Sequence, residues 1–131
     1  SVCKTPAMTI DILPTVAKLI GAKLPKHKID GKSIVNLIKG TSDKSPQEAY
    51  YFYMGRQLQA IRMDKWKLHF PHKYRSLEGR PPGNNGIPAK YNYGIETPLV
   101  LFDMEADPFE KNDVKSQIIQ QLKSHTRYYS I

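Results

Sequence analysis

The sequence predicts an α+β fold: a four-stranded antiparallel sheet with a long C-terminal helix and an N-terminal helix packed on it. Three observations lead there. Apolar and polar residues alternate at a period of two from Lys65 to Phe70. Two further strand-like runs precede that stretch with only tight turns between them, which makes an antiparallel meander. Apolar residues recur at helical spacing near both ends of the chain, and a one-sided sheet needs such a cover.

The first helix is expected over Thr9 to Gly21. Ile12 or Leu13, Val16, Ala17, Leu19 and Ile20 form its apolar stripe, which is assigned to the core. Asp11 is placed to cap it, Pro14 then falls in the first turn where its missing N–H costs little, and Gly21 terminates it. After a loop holding Pro25, Ile29-Asp30-Gly31 reads as a turn. A short helix follows from Ser33 to Lys39, burying Ile34, Leu37 and Ile38 and stopping at Gly40. Thr41 to Gln47 is a polar linker.

The meander comes next. Tyr50 to Met54 is an aromatic strand closed by a turn at Gly55, and Gln57 to Met63 is the second strand. In the third, Trp66, Leu68 and Phe70 are expected on a core and Lys65, Lys67 and His69 in water. From Pro71 to Pro98 the chain is rich in Pro, Gly, Asn and Tyr and has no sustained periodicity. It reads as a long loop, and loops of that length are usually functional or disordered. It gathers His72, Lys73, Tyr74, Arg75, Arg80, Lys90, Tyr91 and Tyr93, and tyrosines in a loop offer flat faces with a polar tip to a sugar or a base. Leu99 to Asp103 is the fourth strand. A turn at Met104 to Pro108 leads to a final helix from Asp113 toward Tyr129, with Val114, Ile118 and Leu122 on one stripe.

At 131 residues the chain is expected to form a single domain, 1–131. Hydrophobic content of 40% and charged content of 24% fit a soluble globular class, with no run long enough for membrane insertion. The first residues show no signal-peptide pattern and no initiator Met, so the chain is expected to begin inside a longer one. The single cysteine excludes an internal disulfide. A net charge of +8 favours anionic partners. The basic residues form no stripe and no nucleic-acid motif is present, so nucleic acid is not an expected partner.

Tests for chemistry within the chain fail. His27, His69, His72, His125 and Cys3 have no metal-ligand spacing, and Glu105, Asp107 and Glu110 are too few and too irregular for a calcium loop. There is no phosphate loop, nucleophile elbow or catalytic dyad. No residue is assigned as catalytic or metal-binding.

Two segments together carry a family signal. Asp11-Ile-Leu-Pro14-Thr15, Gly21-Ala-Lys-Leu-Pro25 and Ile29-Asp30-Gly31-Lys-Ser33 come first. Trp66-Lys67-Leu68, Leu101-Phe102-Asp103 and Asp107-Pro108-Phe-Glu110-Lys-Asn112 follow. In that order they resemble type I sulfatases of the arylsulfatase family, within the alkaline-phosphatase-like superfamily. The later set is similar to that family's C-terminal signature.

The resemblance implies a sulfuric ester hydrolase whose C-terminal subdomain, a four-stranded antiparallel sheet with a long helix, is this chain. It also implies that a formylglycine within C/S-x-P-x-R and a calcium ion both belong to an N-terminal catalytic portion. Cys3-Lys-Thr-Pro6-Ala does not match that motif, so this part alone is expected to be inactive, with that portion as its partner. In similar sulfatases the loop after the W-K strand reaches the active-site mouth. The resemblance therefore implies substrate binding first by His72 and Arg75, then by Tyr74, Lys73 and His69. A sulfated carbohydrate is the implied substrate, and a periplasmic or secreted bacterial parent the implied setting. Asp103, Asp107 and Glu110 match motif positions but read as turn and cap residues. The alternatives are a stand-alone basic module binding an anionic polymer, and a subdomain that only buries an apolar face against its partner.

Overall fold

The computed structural model describes residues 2–126. The chain forms two compact units, the first ending at Tyr50 and the second beginning at Tyr51. In the first, a 3-10 turn (Thr9–Asp11) leads into helix α1 (Ile12–Ile20), and a second short helix, α2, covers Val35–Ile38. Ala17, Val35, Leu37 and Tyr50 are its buried apolar residues.

What organises this unit is a fully buried carboxylate, that of Asp11. Asp11 stands at the N-cap position of α1 but makes no side-chain cap bond there. Its Oδ1 accepts the Lys32 N–H at 2.9 Å and the Gln47 side-chain amide at 3.2 Å. Its Oδ2 accepts the Tyr50 hydroxyl at 2.7 Å and the Met8 N–H at 3.2 Å. Thr15, one turn on, donates to the Asp11 carbonyl at 2.6 Å and accepts the Ile34 N–H at 3.0 Å. The Gln47 amide also reaches the Asp30 carbonyl at 2.8 Å. The D-x-x-P-T and D-G-x-S segments therefore form one polar clamp, in which two side chains of one segment pair with main-chain donors of the other. Gly31 is where they touch: a β-carbon there would lie 1.8 Å from the Ile10 carbonyl oxygen.

Burial alone would raise the Asp11 pKa, but the donors from Lys32, Tyr50, Met8 and Gln47 outweigh it and hold the carboxyl below its usual value. Burial and the same hydrogen bond push the Tyr50 hydroxyl from 10.0 up to about 12. A group whose folded pKa is raised stabilises fully below its unfolded value and loses that contribution as pH rises through the folded one. Tyr50 is thus expected to withdraw at most roughly 3 kcal/mol between about pH 10 and 12. Alkaline unfolding followed by tyrosine absorbance checks this, and Tyr50→Phe should flatten that limb. An unchanged limb in Tyr50→Phe would assign the loss elsewhere.

The second unit is built on the sheet. Strands β1 (Tyr50–Met54), β2 (Gln57–Met63) and β3 (Trp66–His69) follow in sequence. A ribbon of β4 (His72–Ser76) and β5 (Asn92–Thr97) comes next, and then β6 (Val100–Asp103). The main sheet has the order β1-β2-β3-β6, and β4 and β5 pair as a separate two-stranded sheet. Helix α3 covers Lys115–Thr126. No helix among the described residues is long and apolar enough to cross a membrane.

The α+β class, the four-stranded sheet and its meander agree with the sequence-based expectation, and several details do not. Residues 71–98 are not a structureless loop, because β4 and β5 pair within them. A register shift between Tyr74 and Ser76 and the polar composition of both strands hide the period of two. The C-terminal helix is not long: α3 has 12 residues. Asp113 stays outside it, accepting the Leu101 N–H at 3.0 Å and the Lys115 N–H at 2.9 Å and so capping its start. Its expected end at Tyr129 lies outside the described residues.

The apolar side chains of α1 are also placed differently. Pro14, Thr15 and Ala17 are its buried residues, while Ile12, Leu13, Val16, Leu19 and Ile20 are between 46% and 71% exposed. In α2, Val35 and Leu37 are buried and Ile38 is exposed. Helix α1 packs against α2 and the 3-10 turn of its own unit through its small and hydrogen-bonding side.

Candidate functional site

Sheet register decides where the candidate residues point. Directly opposed residues of an antiparallel pair share a face. Lys67 stands opposite Arg62 and Phe102, and His69 opposite Ala60 and Val100. Among the described residues of this unit, Ala60, Val100 and Phe102 are the buried apolar ones, so Lys67 and His69 lie on its more buried face, not in water as the alternation suggests. Each side chain is only 18% exposed.

The segment after β6 makes this possible. Glu110 adopts a left-handed backbone, φ 56°, which costs a residue with a β-carbon about 1 kcal/mol or more. Its Oε1 lies 2.5 Å from the Lys67 ammonium and its Oε2 2.9 Å from His69 Nε2. The His69 contact has ion-pair distance but lacks the alignment of a hydrogen bond, and that buried nitrogen has no other partner among the described residues. Burial pushes the His69 pKa down, Lys67 and His72 add to this, and Glu110 opposes it; the net shift is downward. The environment therefore favours the neutral ring.

His69 in turn supports the ribbon. Its ring meets Phe102 edge-on at 5.6 Å and stacks on His72 at 5.7 Å with an interplanar angle of 18°. The Nδ1–H of His72 donates to the Phe70 carbonyl at 2.6 Å, leaving Nε2 without a protein partner among the described residues. Tyr74 meets His72 at 6.3 Å. His69, His72 and Tyr74 thus form a ladder of three rings.

The remaining two candidates are elsewhere on the ribbon. Lys73 sits opposite Glu96 and pairs with it at 3.3 Å, in the open. Such a pair contributes about 0–1 kcal/mol. Arg75 falls at the register shift, and its guanidinium lies over the Tyr91 ring at 5.0 Å with no carboxylate partner among the described residues. Tyr91 and Tyr93 meet at 6.3 Å. So the structure gathers His69, His72 and Tyr74, and separates Lys73 from them.

Among the described residues, no group of three or more His, Cys, Asp or Glu side chains is placed to hold a metal ion. The motif carboxylates are occupied by protein donors. Asp103 accepts Lys65 at 2.9 Å and the N–H groups of Glu105 and Ala106, and Asp107 accepts those of Lys111 and Asn112 at 2.6 and 2.7 Å. These are turn roles, as expected for both. Glu110 differs, since its carboxylate serves β3 instead of its own turn.

The sheet, the W-K strand and the D-P-x-E turn folded onto it have their counterpart in known proteins. A family model described as the C-terminal region of aryl-sulfatase matches residues 45–128. The chain belongs to this aryl-sulfatase family. It is 33% identical to steryl-sulfatase of Homo sapiens over 140 residues, covering 96% of this chain and 22% of that protein. It is 32% identical to arylsulfatase A of Bos taurus over 117 residues, covering 86% and 23%. The chain therefore spans about a fifth of the length of these curated relatives.

Two solved structures share the fold. One comes from work on glycosaminoglycan metabolism by Bacteroides thetaiotaomicron, with a TM-score of 0.54 and 24% identity over 91% of this chain and 23% of that one. The other is a sulfatase from Pseudoalteromonas, with a TM-score of 0.52 and 20% identity over 89% and 25%.

Proposed function

We propose that this aryl-sulfatase C-terminal region belongs to an enzyme hydrolysing sulfate esters of a glycan, and that its β4–β5 ribbon binds the sulfated substrate. The observation that carries the reading is the state of two groups on β4: the Arg75 guanidinium, a donor, and His72 Nε2, which with Nδ1–H turned to Phe70 accepts in the neutral ring and donates in the imidazolium. His72 Nε2 and the Arg75 guanidinium are both without an acidic partner among the described residues, and Tyr74 lies between them in sequence. A sulfate monoester is an anion with several acceptor oxygens, and charge-assisted hydrogen bonds from such donors recognise it. Tyr91 and Tyr93 add aromatic faces suited to a sugar ring. The glycosaminoglycan setting of one structural neighbour supports a glycan as the substrate class. His69 and Lys73 take lesser parts, the first as a support beneath His72 and the second as an exposed charge shared with Glu96.

In this reading the chemistry of the ester belongs to the remaining four-fifths of the enzyme, and the exposed apolar side of α1 (Ile12, Leu13, Val16, Leu19 and Ile20) is buried against it. The test is steady-state kinetics of the full enzyme on a sulfated disaccharide and on a small aryl sulfate. For His72→Ala and for Arg75→Ala, KM on the disaccharide is expected to rise about 10- to 100-fold, the worth of one charge-assisted hydrogen bond. The aryl sulfate should respond less. Unchanged kinetics in both variants would remove the ribbon from the substrate site.

A further inference from the structure

We infer that Glu110 is a positioning residue for substrate recognition, holding the His69 ring on which His72 is stacked. The inference rests on the proposed role of His72.

The backbone points to it first. Left-handed positions are normally taken by Gly or Asn, yet a glutamate stands here with φ 56°. Its own turn does not require the carboxylate: Asp107 already accepts the N–H groups of Lys111 and Asn112, and the Glu110 N–H donates to the Asp107 carbonyl at 3.2 Å. The conformation instead carries the side chain back over β3, where its two oxygens reach alternate residues of one strand face, Lys67 and His69.

Electrostatics point the same way. His69 faces Lys67 from its own strand, Glu110 from beyond β6, and His72 from β4. The neighbouring strands set Ala60 and Val100 opposite it and Phe102 edge-on to its ring, with Arg62 on the same face opposite Lys67. With Glu110 in place, the Lys67 charge is neutralised and the buried His69 ring is a neutral platform. Without that carboxylate, an unopposed ammonium would sit beside two stacked imidazoles. His69 would also lose the contact that sets its orientation beneath His72.

Two readouts on Glu110→Gln test this. By ring nitrogen NMR, the His69 titration midpoint is expected to move to lower pH, because Glu110 favours its charged form. In the full enzyme, KM for a sulfated disaccharide is expected to rise about tenfold with kcat within about twofold, since only ground-state and transition-state binding in common is lost. Glu110→Gly, which accepts the left-handed backbone and deletes the side chain, should give the same KM change and guards against a folding defect in the first variant. An unmoved His69 midpoint overturns the Glu110–His69 link. A moved midpoint with unchanged KM overturns its role in recognition. If the wild-type enzyme turns over no sulfated substrate, the functional reading fails and the recognition role with it, while the His69 midpoint still decides whether Glu110 controls that ring.

Discussion

Asp11→Ala should unfold the first unit under conditions that leave the wild-type chain folded. The substitution removes a carboxylate with no solvent exposure, leaving the Lys32 and Met8 N–H groups without their acceptor and the Tyr50 hydroxyl and Gln47 amide with only the Pro6 and Asp30 carbonyls. Unpaired buried donors cost about 1–3 kcal/mol each, and partial relaxation brings the expected total to roughly 3–5 kcal/mol. That is a large share of the stability of an ordinary domain, about 5–15 kcal/mol.

Urea unfolding of wild type and variant measures the difference directly. The pH dependence has a definite sign. The folded carboxyl sits below its ordinary value, so its contribution is fully present above the usual carboxylate range, about pH 3.9, and is lost as pH falls through the folded value. Asp11→Asn keeps the shape and removes the titration, so its acid limb should be flatter than that of wild type. A variant within about 1 kcal/mol of wild type would mean that the clamp is not what holds this unit.

Gly31→Ala is expected to cost about 3 kcal/mol or more, lowering the melting temperature by roughly 10 °C. The added β-carbon would lie 1.8 Å from the Ile10 carbonyl oxygen and 2.6 Å from its carbon. Both are backbone atoms, so no rotamer change relieves the overlap. The chain must shift by more than an ångström, and the Lys32 N–H next to Gly31 then leaves Asp11 Oδ1. Gly21→Ala is the informative control. Gly21 closes α1 at φ 69° with open space around it, so only the left-handed backbone is penalised, at about 1 kcal/mol. Thermal melts of the two variants separate collision from conformational preference. Equal losses would show that the close approach of the two motif segments does not matter.

These two expectations show why a sequence motif can be visible while its purpose is not. Asp11 stands where a helix cap belongs, and a cap is the natural reading. Beyond the local Met8 N–H, its partners lie at residues 32, 47 and 50, and no local pattern announces a hydrogen bond across 39 positions. Glu110 is a second case, reaching Lys67 across 43 positions from a turn whose composition suggests only capping. On the ribbon, composition gathers His72 and Arg75 with six other basic and aromatic residues, and only the family resemblance puts these two first. That His69 lies beneath His72, and that Lys73 points away to Glu96, follows from pairing register and the shift after Tyr74.

The sequence by itself determined the strands of the sheet, their antiparallel order and the family. The bounds of Tyr50–Met54 and Gln57–Met63 follow from short-range alternation and turn residues, and the ordered motifs are read without any geometry. Only the tertiary structure decided which faces are covered. Alternation separates the two sides of β3 but not which one meets a core. A buried ion pair and a solvated charge look alike in sequence, and Glu110 turned Lys67 and His69 inward. The same holds for α1, whose apolar stripe is real yet exposed. Periodicity records local backbone geometry, whereas burial depends on what packs against it from elsewhere in the chain.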